Sequence, residues 1–169
     1  HLLDQSRKDA LNVDKVFATK KGVYYMTSES VYHFYDTSLI PIPLDSENVI
    51  GYGIMYGELY INKIGTGLHK VVKQKLAKAK NGELFGDKEI TTILKTGDLE
   101  YLIGTARDGM FKVGSNGSFR KFNTGADAAF RNHVIYEASR MPNGNIAVAT
   151  MSNGAYVLNP KGRVLETFN

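Results

Sequence analysis

The feature that most constrains this chain is a pattern that occurs four times along its 169 residues. Each copy has an apolar, β-rich run, a short polar turn, a small residue and a second apolar run. The small residues recur about every 40 residues, and they are Ser30, Gly67, Gly109 and Gly154. A repeat of this length is typical of stacked supersecondary units, because a single unit cannot bury its own apolar face.

Each copy extends into a four-stranded unit. A further strand-like run precedes each hairpin and ends in turn chemistry such as Tyr-Gly or Asn-Gly. A clean fourth strand follows in two copies, whereas the stretch 73–85 obscures it in the second copy. The pattern predicts an all-β fold of about four antiparallel meanders, each the size of a β-propeller blade. We interpret the chain as one segment of a larger propeller, with approximate blades at 13–47, 48–87, 88–131 and 132–169.

Composition and turn chemistry exclude several classes of site. The run G-T-A-R-D-G (104–109) is not a phosphate-binding loop, because Met110 and Phe111 stand where Lys and Ser/Thr are needed. The chain has no cysteine, which excludes disulfides and thiolate metal sites. Its net charge of +4 owes much to the lysine-rich stretch 70–80. We interpret that stretch as a solvated strand or helix face.

The repeats resemble the two-component regulator propeller repeat. That repeat has asparagine–x–valine before its first strand, a second strand with a tryptophan that ends in Gly-Thr, and a Gly that opens an aromatic third strand. The fourth unit matches over its length, with Asn132, Val134, "MPNG", "IAVAT" and "NGAYVL", and the third unit has "YLIGT" and "DGMF". The residues that replace the tryptophan are Tyr24, Tyr60, Tyr101 and Ala147.

The resemblance implies an extracytoplasmic sensor. Bacterial proteins with such repeats carry many blades outside the inner membrane, followed by a β-sandwich, a membrane span and a histidine kinase or DNA-binding output. Many hybrid kinases of this type resemble sensors of polysaccharide breakdown products. The resemblance therefore implies a periplasmic segment that binds a carbohydrate-type signal and relays it to a kinase. We expect the chain to be part of a longer protein. In that protein, only segments outside this chain would contact the membrane.

Propeller geometry directs the search for a ligand site. The turn between strands two and three and the link between blades open on the same side of a propeller. On that side, the candidate ligand-binding residues are Lys63, Arg107, Asp108, Arg131, Asn132 and Asn153, and further polar side chains are Ser28, Glu29, Asp45, Glu47, Asn48 and Ser152. Arg107 with Asp108 is the most ligand-like pair, because a guanidinium group suits carboxylates or sugar hydroxyls.

Aromatic and histidine side chains give a weaker signal. The aromatic side chains that could stack on sugars are Tyr24, Tyr25, Tyr32 and Phe111, although β spacing favours packing between blades. His33 and His69 are expected at equivalent third-strand positions, a blade width apart. Because a metal site needs converging ligands, we expect neither a metal nor a cofactor.

Three functions remain open. The leading interpretation is a sensor segment that binds an oligosaccharide or another small ligand. Binding would shift the population of blade or protomer arrangements. We expect no nucleic-acid partner for this segment. The alternative is a non-enzymatic scaffold for protein–protein interaction or homodimerisation, because repeated hairpins serve that purpose equally well. A third interpretation, an enzymatic propeller such as a lyase or lactonase, requires converging histidines and carboxylates. We expect no catalytic residues, because no nucleophile motif is visible.

Overall fold

The computed structural model describes residues 12–44 and 48–169, and these residues are mostly in strands. They form four sheets of four antiparallel strands each, and the strand order within each sheet follows the sequence. This architecture confirms the predicted all-β fold of four meanders. Each sheet has the form of a propeller blade, in which short hairpins connect neighbouring strands.

We number the strands β1 to β16 in chain order. Blade 1 contains Lys15–Thr19, Gly22–Met26, Ser30–Tyr35 and Ser38–Pro43 (β1–β4). Blade 2 contains Val49–Met55, Glu58–Lys63, Gly67–Val72 and Lys75–Lys78 (β5–β8). Blade 3 contains Ile90–Lys95, Tyr101–Thr105, Gly109–Val113 and Phe119–Phe122 (β9–β12). Blade 4 contains Ile135–Arg140, Ile146–Thr150, Ala155–Leu158 and Val164–Phe168 (β13–β16).

The turn between the second and third strands has the same construction in three blades. Thr27, Thr105 and Thr150 each donate a hydrogen bond from Oγ1, 2.8 to 2.9 Å long, to the carbonyl oxygen of a residue at the start of the third strand or immediately before it. In blade 3 that residue is Gly109, whose φ of +70° is strained for any residue with a Cβ. The G-T-A-R-D-G run is therefore a hairpin turn, as its chemistry predicted.

Each blade has two faces, because successive side chains of a strand point to opposite sides of the sheet. We call the face toward the preceding blade the front face and the face toward the following blade the back face. Buried hydrophobic clusters join the back face of one blade to the front face of the next at all three junctions. At the first junction Tyr24 and Met26 of blade 1 meet Leu59 and Ile61 of blade 2. Full burial of one such side chain contributes about 1.5 to 3 kcal/mol.

Two short helical segments of the described residues lie between blades. A 3₁₀ turn at Gly82–Phe85 follows blade 2, and its Phe85 ring is fully buried against Phe111 at a centroid distance of 5.3 Å. Asn62 holds this turn by donating a hydrogen bond of 3.0 Å from Nδ2 to the Phe85 carbonyl oxygen. A helix at Asp127–Asn132 precedes blade 4.

The lysine-rich stretch 70–80 contains the fourth strand of blade 2, which the sequence obscured. This strand is Lys75–Lys78, and Lys73, Lys75, Lys78 and Lys80 are all exposed. The prediction of a solvated strand is confirmed. Its charges lie on the outermost strand of the sheet, where lysine side chains remain in water.

The predicted equivalence of His33 and His69 is wrong. His33 pairs with Tyr24, a back-face residue of blade 1, whereas His69 pairs with Ile61, a front-face residue of blade 2. His33 is the third residue after Ser30, but His69 is only the second after Gly67. Because the side-chain period of a strand is two, this difference of one residue reverses the face. The two rings therefore face the same junction from its two sides.

The prediction that Tyr101 replaces the tryptophan of the second strand is also wrong by one residue. It belongs to the buried cluster between blades 2 and 3, so it lies on the front face of blade 3. Leu102, the next residue, lies on the back face in the cluster between blades 3 and 4. Leu102 is therefore the counterpart of Tyr24 and Tyr60 in the second strand.

Candidate functional site

The blades present two sides that differ in the segments they expose. The linker side carries the turns between second and third strands together with the links between blades. The hairpin side carries the other two turns of each blade. The sequence placed its candidate residues on the linker side, and both sides are described below.

The link between blades 3 and 4 is hydrogen-bonded to the turns on either side of it. The N–H group of Ile135 donates to the Ala106 carbonyl oxygen, and the N–H group of Met151 donates to that of Val134, each at 3.0 Å. These bonds hold the link between a turn of blade 3 and a turn of blade 4. The predicted site residues on the two turns and the link are Arg107, Asp108, Arg131, Asn132 and Asn153.

These residues form a polar ridge rather than an enclosed site. Four of them are exposed, and Asn153 is half-buried with its Nδ2 group bonded to the Tyr156 hydroxyl. His133, which the sequence did not suggest, joins the link to the blade 4 turn through a 2.9 Å contact between its Nδ1 and Ser152 Oγ. Lys63 lies half-buried at the end of β6, in blade 2, so it belongs to another part of the linker side.

The remaining predicted polar residues also lie outside this ridge. Ser28 and Glu29 are exposed in the β2–β3 turn, and Asn48 is half-buried immediately before β5. Asp45 and Glu47 lie outside the described residues.

Within the part of the chain that the structure describes, three clefts open on the hairpin side, one at each junction between blades. We name them cleft 1–2, cleft 2–3 and cleft 3–4, and their volumes are about 510, 250 and 270 Å³. Each cleft is lined by the same two back-face positions of the repeat, one in the second strand and one in the third. The pairs of residues at these positions are Tyr24 and His33, Tyr60 and Lys70, and Leu102 and Lys112.

Cleft 1–2 has an aromatic wall. The rings of Tyr24 and His33 stack with centroids 4.3 Å apart and planes 10° from parallel. Tyr35, which is 57% exposed, extends this wall toward solvent with its centroid 6.1 Å from that of His33. The His33 Nε2–H group donates a hydrogen bond of 2.7 Å to the Lys21 carbonyl oxygen, while Nδ1 is buried without a partner among the described residues.

Positive charge surrounds this wall. Lys20 and Lys73 are exposed at the mouth of the cleft, and Lys21 forms an ion pair with Glu58 that joins blade 1 to blade 2. The hydrogen bond to Glu58 raises the pKa of Lys21, so this lysine stays charged. Burial raises the pKa of Tyr24, which keeps its hydroxyl neutral. The cleft therefore combines aromatic rings with an excess of cations.

The other two clefts have different chemistry at the same positions. In cleft 3–4 the wall is Leu102, and Lys112 forms an ion pair of 2.8 Å with Glu100. In cleft 2–3 the wall is Tyr60, whose pKa is raised by burial, and Lys70 lies beside it. A stacked aromatic pair lines only cleft 1–2 among the three.

This arrangement is suited to binding. Flat aromatic faces pack against the apolar faces of rings, and cations and hydroxyl groups supply hydrogen bonds around them. Among the described residues, no group of three or more histidine and carboxylate side chains is placed to hold a metal ion. Within the same part of the chain, no helix has the length and apolar character needed to span a membrane.

Sequence reasoning located part of this wall and missed the rest. Of the aromatic residues named for stacking, only Tyr24 lines the cleft, whereas Phe111 is buried between blades 2 and 3. His33, Tyr35 and the lysines at the mouth were missed. The spacing of Tyr24 and His33 around the β2–β3 turn carries a signal, because paired residues of an antiparallel hairpin share one face.

No protein-family profile matches the sequence, and no curated protein matches it. Solved structures do match the fold. The extracellular domain of BT3049, described as a hybrid two-component system of B. thetaiotaomicron, aligns with 93% of the chain at 15% identity and a TM-score of 0.65. The extracellular domain of BT4673, described as a one-component system of the same organism, aligns with 94% at 15% identity and a TM-score of 0.66.

A third similar structure belongs to another kind of propeller. The WD40 β-propeller domain of Doa1 aligns with 94% of the chain at 11% identity and a TM-score of 0.65. The chain spans 22% of the length of each of the two extracellular domains and 53% of the Doa1 domain. At these identities the similarity shows the fold: the described residues form part of a β-propeller, and its structural neighbours include extracellular domains of two-component systems.

Proposed function

We propose that this chain is a ligand-sensing propeller segment of an extracytoplasmic two-component sensor, and that it binds a carbohydrate-type ligand in cleft 1–2. The observation that carries the proposal is the stacked pair of Tyr24 and His33, extended to solvent by Tyr35. A sugar ring presents an apolar face that stacks on such a wall, while its hydroxyl groups meet the lysines and Glu58 at the mouth. The segment acts by binding, without catalysis.

The position of the cleft supports a mechanism for signal relay. Cleft 1–2 lies between two blades, and the ion pair from Lys21 to Glu58 crosses it. A ligand that contacts both walls favours one spacing of the blades over another, and this preference shifts the population of blade arrangements. We propose that the shift reaches a kinase output elsewhere in the protein. The extracellular structural neighbours support a periplasmic location for this segment.

A thermal-shift screen against a panel of neutral and acidic oligosaccharides tests the proposal. We expect one class of glycan to raise the melting temperature of the chain, because a ligand that binds only the folded state stabilises it. Tyr35→Ala removes the exposed end of the aromatic wall with little effect on folding, and it should abolish most of this increase. Leu99→Ala, at a side chain that is 64% exposed in the β9–β10 turn, is the matched control and should keep it.

A second pair of variants separates cleft 1–2 from the linker side. Arg107→Ala and Asn132→Ala change the exposed ridge and leave the cleft intact. If these variants lose the glycan effect while Tyr35→Ala keeps it, the site lies on the linker side and the cleft proposal is wrong. If no glycan raises the melting temperature, this segment does not bind carbohydrate on its own and the proposal fails.

A further inference from the structure

The cations of cleft 1–2 come from both of its walls. Lys20 and Lys21 lie in the β1–β2 turn of blade 1, whereas Lys73 lies in the β7–β8 turn of blade 2. Among the described residues, Glu58 is the only carboxylate that lines this cleft, and it pairs with Lys21. Two cations on opposite walls, Lys20 and Lys73, are therefore left without a carboxylate of the cleft.

These two cations are available to a ligand. Lys20 and Lys73 are exposed, and neither side chain forms an ion pair or a hydrogen bond with another residue that the structure describes. Charges of one sign that line a cleft concentrate ions of the opposite sign there. The cleft therefore attracts anions to the space between its two walls.

The other two clefts lack this arrangement. In cleft 2–3 both lysines belong to the blade 2 side, since Lys70 lies in β7 and Lys80 follows β8. In cleft 3–4 Glu100 pairs with Lys112, which leaves Arg140 as the remaining cation of the described lining. Of the three clefts, only cleft 1–2 combines unpaired cations on opposite walls with a stacked aromatic pair.

The turn that carries Lys73 contains residues that its backbone does not favour. Lys73 and Gln74 are the two residues between β7 and β8, and their φ angles are +47° and +62°. A two-residue hairpin turn with positive φ at both positions favours Asn-Gly, because most residues with a Cβ are strained there. The β5–β6 turn follows this rule with Gly57 at its second position. Lysine and glutamine thus occupy the β7–β8 turn against its own preference, and both line cleft 1–2.

We propose that the ligand of cleft 1–2 is an acidic oligosaccharide, whose carboxylate or sulfate group is held between Lys20 and Lys73. This inference rests on the proposed carbohydrate site and names the class of its ligand. A sugar ring packs on the aromatic wall, and its anionic group accepts charge-assisted hydrogen bonds from the two ammonium groups at the mouth. Because Lys20 belongs to blade 1 and Lys73 to blade 2, the same anion links the two walls.

Pairs of ligands that differ only in charge test this class. The probes are a galacturonic acid tetramer with its methyl ester, and a sulfated tetrasaccharide with its desulfated form, each titrated into the chain by calorimetry. We expect the acidic member of one pair to bind about tenfold more tightly than its neutral partner. Added salt should weaken the acidic member alone. The two pairs distinguish a carboxylate from a sulfate.

Lysine variants locate the bound anion. Lys20→Gln together with Lys73→Gln should weaken binding of the acidic probe by about tenfold or more and leave the neutral probe unchanged. Lys78→Gln together with Lys161→Gln removes two exposed charges outside the cleft and should change neither. Lys73→Arg keeps the charge and should keep the binding. Thermal unfolding followed by circular dichroism identifies a pair that fails to fold, in which case the single variants replace it.

The β7–β8 turn gives a second readout that separates binding from folding. Lys73→Asn together with Gln74→Gly installs the sequence that this turn favours, so it should raise the melting temperature of the free chain. The same change should weaken binding of the acidic probe. If the two residues served the turn alone, the melting temperature would fall and the affinity would follow it.

The possible outcomes separate this inference from the carbohydrate site. If a neutral probe binds as tightly as its acidic partner and Tyr35→Ala abolishes both, the carbohydrate site stands and the acidic class is wrong. Acidic binding that survives the loss of Lys20 and Lys73 also overturns the inference, because the anion then lies elsewhere. If no probe of either kind binds, the carbohydrate proposal itself fails.

Discussion

Cleft 1–2 and cleft 3–4 occupy equivalent positions of the repeat, yet their walls have different chemistry. In cleft 1–2, Tyr24 and His33 stack on each other, and the backbone carbonyl of Lys21 fixes the imidazole ring. In cleft 3–4 the same positions carry Leu102 and Lys112, and the lysine turns outward to Glu100. The comparison shows that the repeat fixes the backbone of the cleft, whereas two side chains in each blade decide what the cleft can bind.

The largest expected effect is a loss of folding stability, because the second-strand side chain of each wall is buried beneath its cleft. Tyr24 and Leu102 are 2% and 3% exposed and belong to the buried clusters beneath their clefts. Replacement by alanine should lower the free energy of unfolding by about 3 to 5 kcal/mol for Tyr24 and about 2 to 5 kcal/mol for Leu102. Urea denaturation measures both values. A loss at Tyr24 no larger than that of the exposed control Leu99→Ala would show that its ring has no packing role.

A smaller effect should distinguish the third-strand positions. His33→Leu leaves the Lys21 carbonyl oxygen without its donor in a partly buried site, and this should cost about 1 to 3 kcal/mol. The matched change in cleft 3–4, Lys112→Leu, removes only an exposed ion pair and should cost less than about 1 kcal/mol. Urea denaturation of both variants measures the difference. Equal losses would contradict the assigned role of the imidazole hydrogen bond.

The stability contributed by the Tyr24 hydroxyl should depend on pH in the alkaline range, whereas Leu102 has no titrating group. Because burial raises the pKa of Tyr24 above its ordinary value of 10.0, the folded state holds the phenolic proton more tightly than the unfolded state. This contribution to stability is complete below about pH 10 and is lost as the pH rises through the folded pKa. Tyr24→Phe should therefore lose less stability at alkaline pH than the unaltered chain does.

Urea denaturation at a series of pH values measures this difference. Leu102→Phe changes the equivalent position of cleft 3–4 without removing a titrating group, so its stability should follow the pH dependence of the unaltered chain. The same fall with pH for Tyr24→Phe and the unaltered chain would contradict the raised pKa.

The smallest effect is expected at Glu100. Its ion pair with Lys112 joins two side chains that are about half exposed, so water screens the attraction. Glu100→Gln should lower the free energy of unfolding by less than about 1 kcal/mol, and added salt should remove the difference. Denaturation at low and high ionic strength measures it. A large loss that persists in salt would mean that cleft 3–4 depends on this ion pair for its structure.

The fold could be predicted because its determinants are local. Gly109 and Gly154 end the turns before third strands with positive φ, and alternating apolar residues on either side fix the hairpin around each turn. The alignment of equivalent strand positions between blades was wrong by one residue at His33 and at Tyr101. Side-chain direction reverses at every residue of a strand, so a small error in alignment changes which blade a side chain faces.

The candidate site could be predicted only in part, because its members come from separate segments. The sequence named Tyr24 for stacking but assigned the ligand site to the linker side, around Arg107 and Asp108. Lys21 and Glu58 are 37 residues apart in the sequence, and nothing in that spacing indicates that they form an ion pair across the junction of two blades. That contact depends on how blade 1 sits against blade 2.

By itself, the sequence determined the all-β class and the four-stranded repeat, because hydrophobic alternation and turn chemistry act over a few neighbouring residues. Only the tertiary structure decided which faces are covered. Val23, Tyr25, Tyr32 and Phe34 follow the same pattern as the buried front faces of the other blades, and only the packing of blades leaves them half-buried. A strand specifies which side chains share a face, whereas the neighbour that covers that face is set by contacts between blades.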